Sequence, residues 1–307
     1  MTDKPKNMAA SVRQRLLNKA RAGEGQDFQR LLVRYAIERL LYRLSQSTAK
    51  KRFVLKGAML FAVWAKTPFR STGDLDLLGS CRNDPETLRK AFAEICRQSA
   101  PDDGLAFDNA SIRVEALRED EEYEGARIRL DAKLGTAVIP LQVDIGFGDV
   151  VHPAPKIVEY PSLIAELPAP RLLAYPPETV IAEKLEAAVR FDALTSRLKD
   201  HYDIWALSRI FRFDKAILSA AIAKTFKRRG SALPISLPAP FTVTFAESPL
   251  HAAQWQAFLR RTSPTLAPPP FADLIAEIRT FLKPVLDDPQ EGTRKTPGTW
   301  DPAKGWV

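Results

Sequence analysis

Hydrophobic positions in the first part of the chain recur at helical spacing and then at strand spacing. Residues 26–47 carry apolar side chains on most turns and predict a long helix. A shorter helix is predicted before it, over residues 11–22. An apolar run at residues 53–55, a helical stretch at 58–65 and an alternating segment at 71–78 follow. This region therefore predicts two helices and then the start of a sheet.

In the remainder of the chain, hydrophobic and polar residues first alternate as in strands and then recur at helical spacing. Asp84-Pro85 is a strong helix start, because an N-cap acid precedes a proline at the first helical position, and the helix runs to about residue 98. Alternating segments predict strands at residues 111–117, 126–133 and 138–145. Helical patterns cover residues 177–191, 197–211, 215–228, 252–261 and 271–281.

This order of elements predicts an α+β fold with a mixed sheet. We expect basic N-terminal helices over residues 1–52, a sheet-containing core over 53–175 and a helical C-terminal domain over 176–284. Residues 285–307 lack apolar periodicity and are rich in Gly, Pro, Thr and charge, so they predict a disordered tail.

Composition excludes several classes of protein. The 307 residues contain two cysteines, too few for a disulfide framework or a zinc cluster, and no run of eighteen apolar residues that would cross a membrane. We expect a cytoplasmic protein with no membrane partner.

Positive charge is concentrated near the N-terminus. Residues 1–52 hold thirteen Lys and Arg against four Asp and Glu, an excess of nine that accounts for the whole net charge of +8 of the chain. On the long helix, Arg30 and Arg34 share one side, and Arg39 and Arg43 lie roughly opposite. Each pair is a candidate nucleic-acid contact, and a solvated helix surface is the alternative.

The alternating segment at residues 71–78 carries two carboxylates. Asp74 and Asp76 are separated by one residue, so their side chains leave one face of a strand while Leu75 enters the core. Hard oxygen ligands on a rigid strand suit Mg²⁺, which binds substrate phosphates beside one or two protein carboxylates. The alternative is a pair of exposed acids on an edge strand.

Two neighbouring segments fit the same chemistry. Lys56-Gly57-Ala58 lies at a strand-to-helix turn, where small residues let the backbone approach phosphates, and an ordinary tight turn is the alternative. Asp144 leaves its strand opposite the apolar residues, so it becomes a third metal ligand if that strand adjoins the Asp74 strand; otherwise it is an exposed acid.

Further candidates lie on predicted helices and loops. Lys184 projects from the apolar arc of its helix, either to contact phosphate or to extend its ammonium to water. Lys199 and Asp203 are spaced as an i,i+4 surface pair, Arg70 is a loop cation, and His201 is either a proton carrier or a surface histidine. No His-Glu-x-x-His, Gly-x-Ser-x-Gly or Walker motif occurs.

Five segments occur in an order that is more specific than any one of them. They are residues 53–60 (FVLKGAML), 70–77 (RSTGDLDL), 143–149 (VDIGFGD), 181–185 (IAEKL) and 197–203 (RLKDHYD). From about residue 26 to 211 the chain resembles the AbiEii/AbiGii toxin family of the nucleotidyltransferase superfamily, which includes MenT-like proteins. Ala58 departs from the family, which usually has a second glycine there.

The resemblance implies a nucleotidyltransferase-like sheet core and a role for each matched residue. Asp74 and Asp76 match the metal-binding acids, Lys184 matches the lysine that contacts nucleotide phosphates, and either Asp200 or Asp203 matches the acid of the last motif. Lys56, Gly57, Ala58, Arg70 and Lys199 join Lys184 as nucleotide-binding candidates.

The function expected from these residues is Mg²⁺-dependent transfer of a nucleoside monophosphate from a nucleoside triphosphate to an acceptor hydroxyl. Some MenT-like relatives add nucleotides to the 3′ end of tRNA, so the resemblance implies tRNA as acceptor, a toxin and a cognate antitoxin. The rival hypothesis is a module of the same fold that has lost turnover and binds nucleic acid or an antitoxin.

Overall fold

The computed structural model describes residues 7–22, 27–65, 70, 72–120, 123–191, 197–234, 236–287 and 298–307. The chain divides into two compact units. The first contains Met1–Gly148 and Lys156–Ala174, and the second contains Asp149–Pro155 and Tyr175–Val307. The basic N-terminal helices therefore belong to the same unit as the sheet.

The first unit is built on a seven-stranded mixed sheet with the order β3-β4-β5-β2-β1-β7-β6. Its strands are β1 (Phe53–Lys56), β2 (Asp74–Gly79), β3 (Leu105–Asp120), β4 (Tyr123–Leu134), β5 (Ala137–Phe147), β6 (Lys156–Glu159) and β7 (Arg171–Ala174). Its helices are α1 (Met8–Arg21), α2 (Phe28–Gln46), α3 (Leu60–Trp64) and α4 (Pro85–Arg97). The expected α+β fold with a mixed sheet is confirmed.

Strand β2 lies inside this sheet, not at its edge. It pairs antiparallel with β1 and parallel with β5, and the register sets Asp76 beside Lys56 on one side and beside Asp144 on the other. Leu75 and Leu77 point to the opposite face, where each is 1% exposed. The alternation seen in the sequence thus separates a polar face from a core face.

Local sequence explains how the helices begin. Asp84 caps α4 as expected, its carboxylate accepting from the amide of Thr87 at 2.9 Å. Helix α1 begins earlier than expected because the side chain of Asn7 caps it, accepting from the amide of Ala10 at 3.0 Å. The four-residue strands β6 and β7 were not expected, since neither is long enough to show a period.

The second unit is mainly helical. Its elements are α5 (Pro177–Phe191), α6 (Leu198–Ser208), β8 (Phe213–Asp214), α7 (Lys215–Arg228), α8 (Val243–Glu247), α9 (Pro249–Thr262), α10 (Phe271–Leu286), β9 (Thr299–Asp301) and β10 (Gly305–Trp306). Strands β8, β9 and β10 form a small antiparallel sheet. None of the helices described in either unit is long and apolar enough to cross a membrane.

The expectation of a disordered tail is wrong for residues 298–307. Trp300 is 7% exposed, and its indole N–H donates to the carbonyl of Ser208 at 2.6 Å. The buried Trp300 and the half-buried Trp306 supply the apolar contact that the polar composition of this segment concealed. The expectation also covered residues 288–297, which lie outside the described residues.

Candidate active site

The carboxylate strand, β2, carries the first group of candidate residues. Asp74 is exposed and Asp76 is half-buried, and both leave the polar face of the sheet. Because β2 is flanked by strands on both sides, the alternative of exposed acids on an edge strand does not describe this pair.

Gly57 lies directly against the carboxylate of Asp76. Its φ of +71° is in the left-handed region, and a Cβ placed on it would lie 2.6 Å from Cγ of Asp76 and closer still to Oδ2. Only glycine leaves room for this contact without strain. The turn after β1 therefore brings backbone to Asp76. The close approach of this turn to phosphates stays a prediction. Ala58, the next residue, is 8% exposed.

Asp144 is the neighbour of Asp76 on β5, as the sequence argument required for a third carboxylate. Both of its oxygens, however, are bound by Arg127 of β4, with Nε and Nη2 each at 2.8 Å. The amide nitrogen of Gln142 adds a hydrogen bond of 3.2 Å. The structure thus places Asp144 beside the pair but in an ion pair with Arg127.

The chemistry of these donors fits one hard cation. Among the described residues, no group of three or more His, Cys, Asp or Glu side chains is arranged to hold a metal ion. Mg²⁺ keeps several waters and needs only one or two protein carboxylates, which Asp74 and Asp76 offer from one face of a strand.

The second unit holds a second group of candidates, centred on Lys184 of α5. Its ammonium contacts Asp200 at 2.7 Å and Asp203 at 2.6 Å, both on α6, and the Lys184 side chain is 14% exposed. Arg197 donates to the other oxygen of Asp200 at 2.8 Å. The structure therefore brings both candidate acids of the last motif to the same lysine.

Neighbouring cations keep the carboxyl group of Asp200 in its charged form. Burial alone would raise the pKa of this carboxyl, but the charges of Lys184 and Arg197 outweigh burial and hold the pKa well below its usual range. Asp203 is also buried, with 0% side-chain exposure. The expectation that Asp203 and Lys199 form a pair on the surface is therefore wrong. Two buried carboxylates therefore fix the direction of the Lys184 ammonium.

Arg229, which follows α7, is a residue of this unit that no sequence motif indicated. Its guanidinium donates to Asp149 at 3.1 and 3.2 Å and to Glu186 at 2.7 Å, and it lies 3.5 Å from Glu183. Two of these acids lie on α5 beside Lys184, and their spacing of three residues was the available signal. Arg229 therefore anchors the helix that presents the lysine.

Two candidate nucleic-acid contacts are corrected. Arg39 and Arg43 were expected on a surface, but they are 0% and 7% exposed and both contact the carboxylate of Asp103, at 3.1 Å and 2.6 Å. Arg39 also donates to the carbonyl of Pro168 at 2.8 Å. This side of α2 packs inside the first unit, so these arginines pair internally and are not nucleic-acid contacts.

The remaining candidates occupy more open positions. Arg30 is exposed and Arg34 is half-buried near Tyr160. Arg70 stacks over the ring of Phe61 at 5.7 Å, and Lys199 is exposed.

His201 is neither a surface residue nor placed as a proton carrier. It is 1% exposed, lies 5.1 and 5.5 Å from the rings of Phe241 and Phe245, and Nε2 is 3.0 Å from the carbonyl of Pro240. Since a carbonyl only accepts, Nε2 carries the proton. Burial lowers the pKa of His201 to about 4, so the ring is neutral near pH 7.

Comparison with known proteins gives a family and a fold. The family model described as "Nucleotidyl transferase AbiEii toxin, Type IV TA system" matches residues 39–277. Two crystal structures, of a candidate nucleotidyltransferase from H. pylori and of JHP933 from Helicobacter pylori, each match with a TM-score of 0.51 at 12% identity. These matches cover 85% of this chain and 96% and 94% of the neighbours. No curated protein matches.

The sheet core and the family match over most of the chain define the class of protein, a nucleotidyltransferase. The chain belongs to the AbiEii family, whose members are toxins of type IV toxin–antitoxin systems.

Proposed function

We propose that the protein transfers a nucleoside monophosphate from a nucleoside triphosphate to an acceptor hydroxyl, in a reaction that depends on Mg²⁺. The observation that carries this proposal is the pair Asp74 and Asp76, which leave one face of an internal strand with Asp76 against the backbone of Gly57. This arrangement provides two oxygen donors on a strand, one of them against a glycine that has no side chain.

Each residue group has a distinct part in this proposal. Asp74 and Asp76 would hold Mg²⁺, a Lewis acid that gathers phosphate oxygens and lowers the pKa of the attacking hydroxyl. The turn Lys56-Gly57-Ala58 would offer backbone N–H groups to the nucleotide, with Arg70 and Lys199 as further cations for its phosphates. Lys184 would offset charge on the phosphates, since Asp200 and Asp203 orient its ammonium.

The proposed acceptor is the 3′ end of tRNA, and the proposed partner is a cognate antitoxin. The family match supports a toxin–antitoxin role, and the exposed Arg30, with the half-buried Arg34, keeps positive charge on one side of α2 for an RNA backbone.

The test replaces one carboxylate at a time. Asp74→Asn and Asp76→Asn keep side-chain volume but remove charge that Mg²⁺ needs, so transfer of radiolabelled nucleotide to total tRNA should fall by two orders of magnitude or more across a Mg²⁺ titration, on the order of the losses caused by removing one catalytic electrostatic group. Circular dichroism should show an intact fold.

Asp131→Asn is the matched control, because Asp131 is an acid of the same sheet that lies on β4, away from β2. It should keep the transfer rate of the wild type. Normal transfer by folded Asp76→Asn would refute the metal assignment, and a wild type that labels no RNA with any nucleotide would favour a binding module over a transferase.

A further inference from the structure

The polar face of the first unit's sheet continues beyond the carboxylate strand as a row of charged residues. The register places Asp76 beside Asp144, Asp144 beside Arg127, and Arg127 beside Glu115. Neighbouring strands are about 4.8 Å apart, so Asp144 is within one strand spacing of Asp76. Side chains at the intervening positions, such as Val143 at 0% exposure, enter the core.

The carboxylate of Asp144 is already neutralised within the protein. Arg127 binds it through two N–H donors at 2.8 Å, the parallel arrangement that a planar guanidinium and a carboxylate adopt. The pKa of Arg127 is raised by its hydrogen bonds to Asp144 and further by the charges of Asp144, Asp74 and Glu115. The guanidinium therefore lies within the electrostatic field of the carboxylate strand.

Three carboxylates on adjacent strands would otherwise form a strong site for divalent cations. We propose that the Arg127 guanidinium occupies the place beside Asp144 that a divalent cation would take, so that this face binds one cation, at Asp74 and Asp76. The proposal rests on the proposed function, because it takes those two acids to be cation ligands.

Arg127 is thus a positioning residue that acts through Asp144. A guanidinium stays protonated in proteins, and the chain holds it in place, so it does not exchange with solvent as an ion does. Its charge reduces the repulsion that Asp144 would exert on Asp76.

The experiment counts Mn²⁺ ions bound by the purified full chain, measured by equilibrium dialysis without nucleotide. Arg127→Met frees Asp144 and should bind one more equivalent than the wild type. Arg127→Met combined with Asp144→Asn should return to the wild-type number. Asp144→Asn alone should leave the number unchanged, because in the wild type Arg127 already holds that carboxylate.

Arg129→Met is the matched control. Arg129 lies two residues further along the same face of β4 and contacts Glu115 at 2.6 Å. Glu115 lies on β3, two strands beyond β5, so freeing it should add no cation.

Two results would overturn the proposal: equal Mn²⁺ binding by Arg127→Met and the wild type, or the loss of one equivalent in Asp144→Asn. The second variant decides the matter even if Arg127→Met does not fold. Failure of the proposed function gives a different pattern, in which the wild type binds no Mn²⁺ that Asp76→Asn removes, whatever the Arg127 variants bind.

Discussion

Gly57 shows at the scale of one residue how backbone and side chain are fitted at the carboxylate strand. Its positive φ is costly for any residue with a Cβ, by about 1 kcal/mol or more. The larger obstacle is the side chain of Asp76, whose Cβ would lie 2.7 Å from a Cβ at position 57. A side chain there must displace one of the proposed metal ligands.

We predict that Gly57→Ala lowers nucleotide transfer about a hundredfold, the loss expected when a catalytic group is misplaced by about 1 Å. The free energy of unfolding should fall by about 1–3 kcal/mol, because the new methyl group overpacks a filled site. Transfer assays and denaturant unfolding at one pH measure the two effects.

Gly73→Ala is the control for this substitution. Gly73 also lies close to the carboxylates in sequence, but a Cβ there would meet nothing within 4 Å. It should behave as the wild type in both assays. Equal activity of the two alanine variants would mean that Asp76 tolerates displacement and is not held in place by the turn.

At the scale of one element, α6 combines a charged face with an apolar one. Asp200 and Asp203 contact Lys184, while His201 between them packs among phenylalanines. His201 has a pKa of about 4 in the folded protein and about 6.5 in the unfolded chain. Above pH 6.5 it is neutral in both states; below that the unfolded chain takes up a proton first, so stability is lost as the pH falls towards 4.

We predict that this one histidine costs the protein about 3 kcal/mol of unfolding free energy between pH 6.5 and pH 4. His201→Gln does not titrate, so its stability should fall less over the same range, although it is less stable at pH 7. Denaturant unfolding of both proteins at pH 7, 5.5 and 4 measures the difference. Parallel curves would contradict a buried, neutral His201.

Arg229 stabilises helix α5, and its contribution to the free energy of unfolding can be measured. The side chain is 9% exposed and pairs with Glu186, which is 0% exposed, so Arg229→Met removes a buried cation that neutralises this carboxylate. We predict a loss of about 3–5 kcal/mol of unfolding free energy, as for other broken buried pairs. Because α5 presents Lys184, nucleotide transfer should fall as well.

Lys90→Met is the comparison for Arg229→Met, since Lys90 contacts Glu86 at 2.6 Å with both side chains more than 70% exposed. Such a surface pair contributes at most about 1 kcal/mol. A similar, small effect of both substitutions would show that Arg229 does not anchor α5.

The elements differ in how far sequence could predict them. Strand β2 and helix α4 follow from alternation and from the Asp84-Pro85 cap, which are local signals. The Arg127–Asp144 pair and the burial of Arg39 could not be derived, because each depends on which strand or loop lies alongside, and a sequence pattern carries no such information. The same limit applied to Lys184, whose direction was predictable but whose partners on α6 were not.

At the scale of the whole molecule, net charge is a poor guide to how much basic surface is open to nucleic acid. The N-terminal excess of Lys and Arg suggested two basic pairs on α2, but Asp103 holds one pair inside the first unit. Arg43 is also 4.9 Å from the ring of Phe107. The part of this charge that is open to an RNA backbone is therefore smaller than the composition indicates.

The end of the chain is a structural part of the second unit. Trp300 pairs with Phe213 across β8 and β9 and packs against Phe281 at a ring distance of 4.9 Å. Trp306 donates its indole N–H to the carbonyl of Phe281 at 3.0 Å. Since the indole of Trp300 also binds the last residue of α6, this segment stabilises the helix that carries Asp200 and Asp203.

We predict that Trp300→Ala lowers the free energy of unfolding of the protein by about 3–5 kcal/mol, the usual cost of removing a buried tryptophan side chain. Deleting residues 298–307 should cost at least as much and lower nucleotide transfer, because α6 loses its support. Leu250→Ala is the control: Leu250 is a 62% exposed apolar residue of the same unit and should change stability by no more than about 0.5 kcal/mol.

Denaturant unfolding followed by far-ultraviolet circular dichroism, together with the transfer assay, measures all three proteins. A truncated chain that unfolds and reacts like the intact one would show that these strands do not support α6, and wild-type stability of Trp300→Ala would show that its indole is not buried in solution.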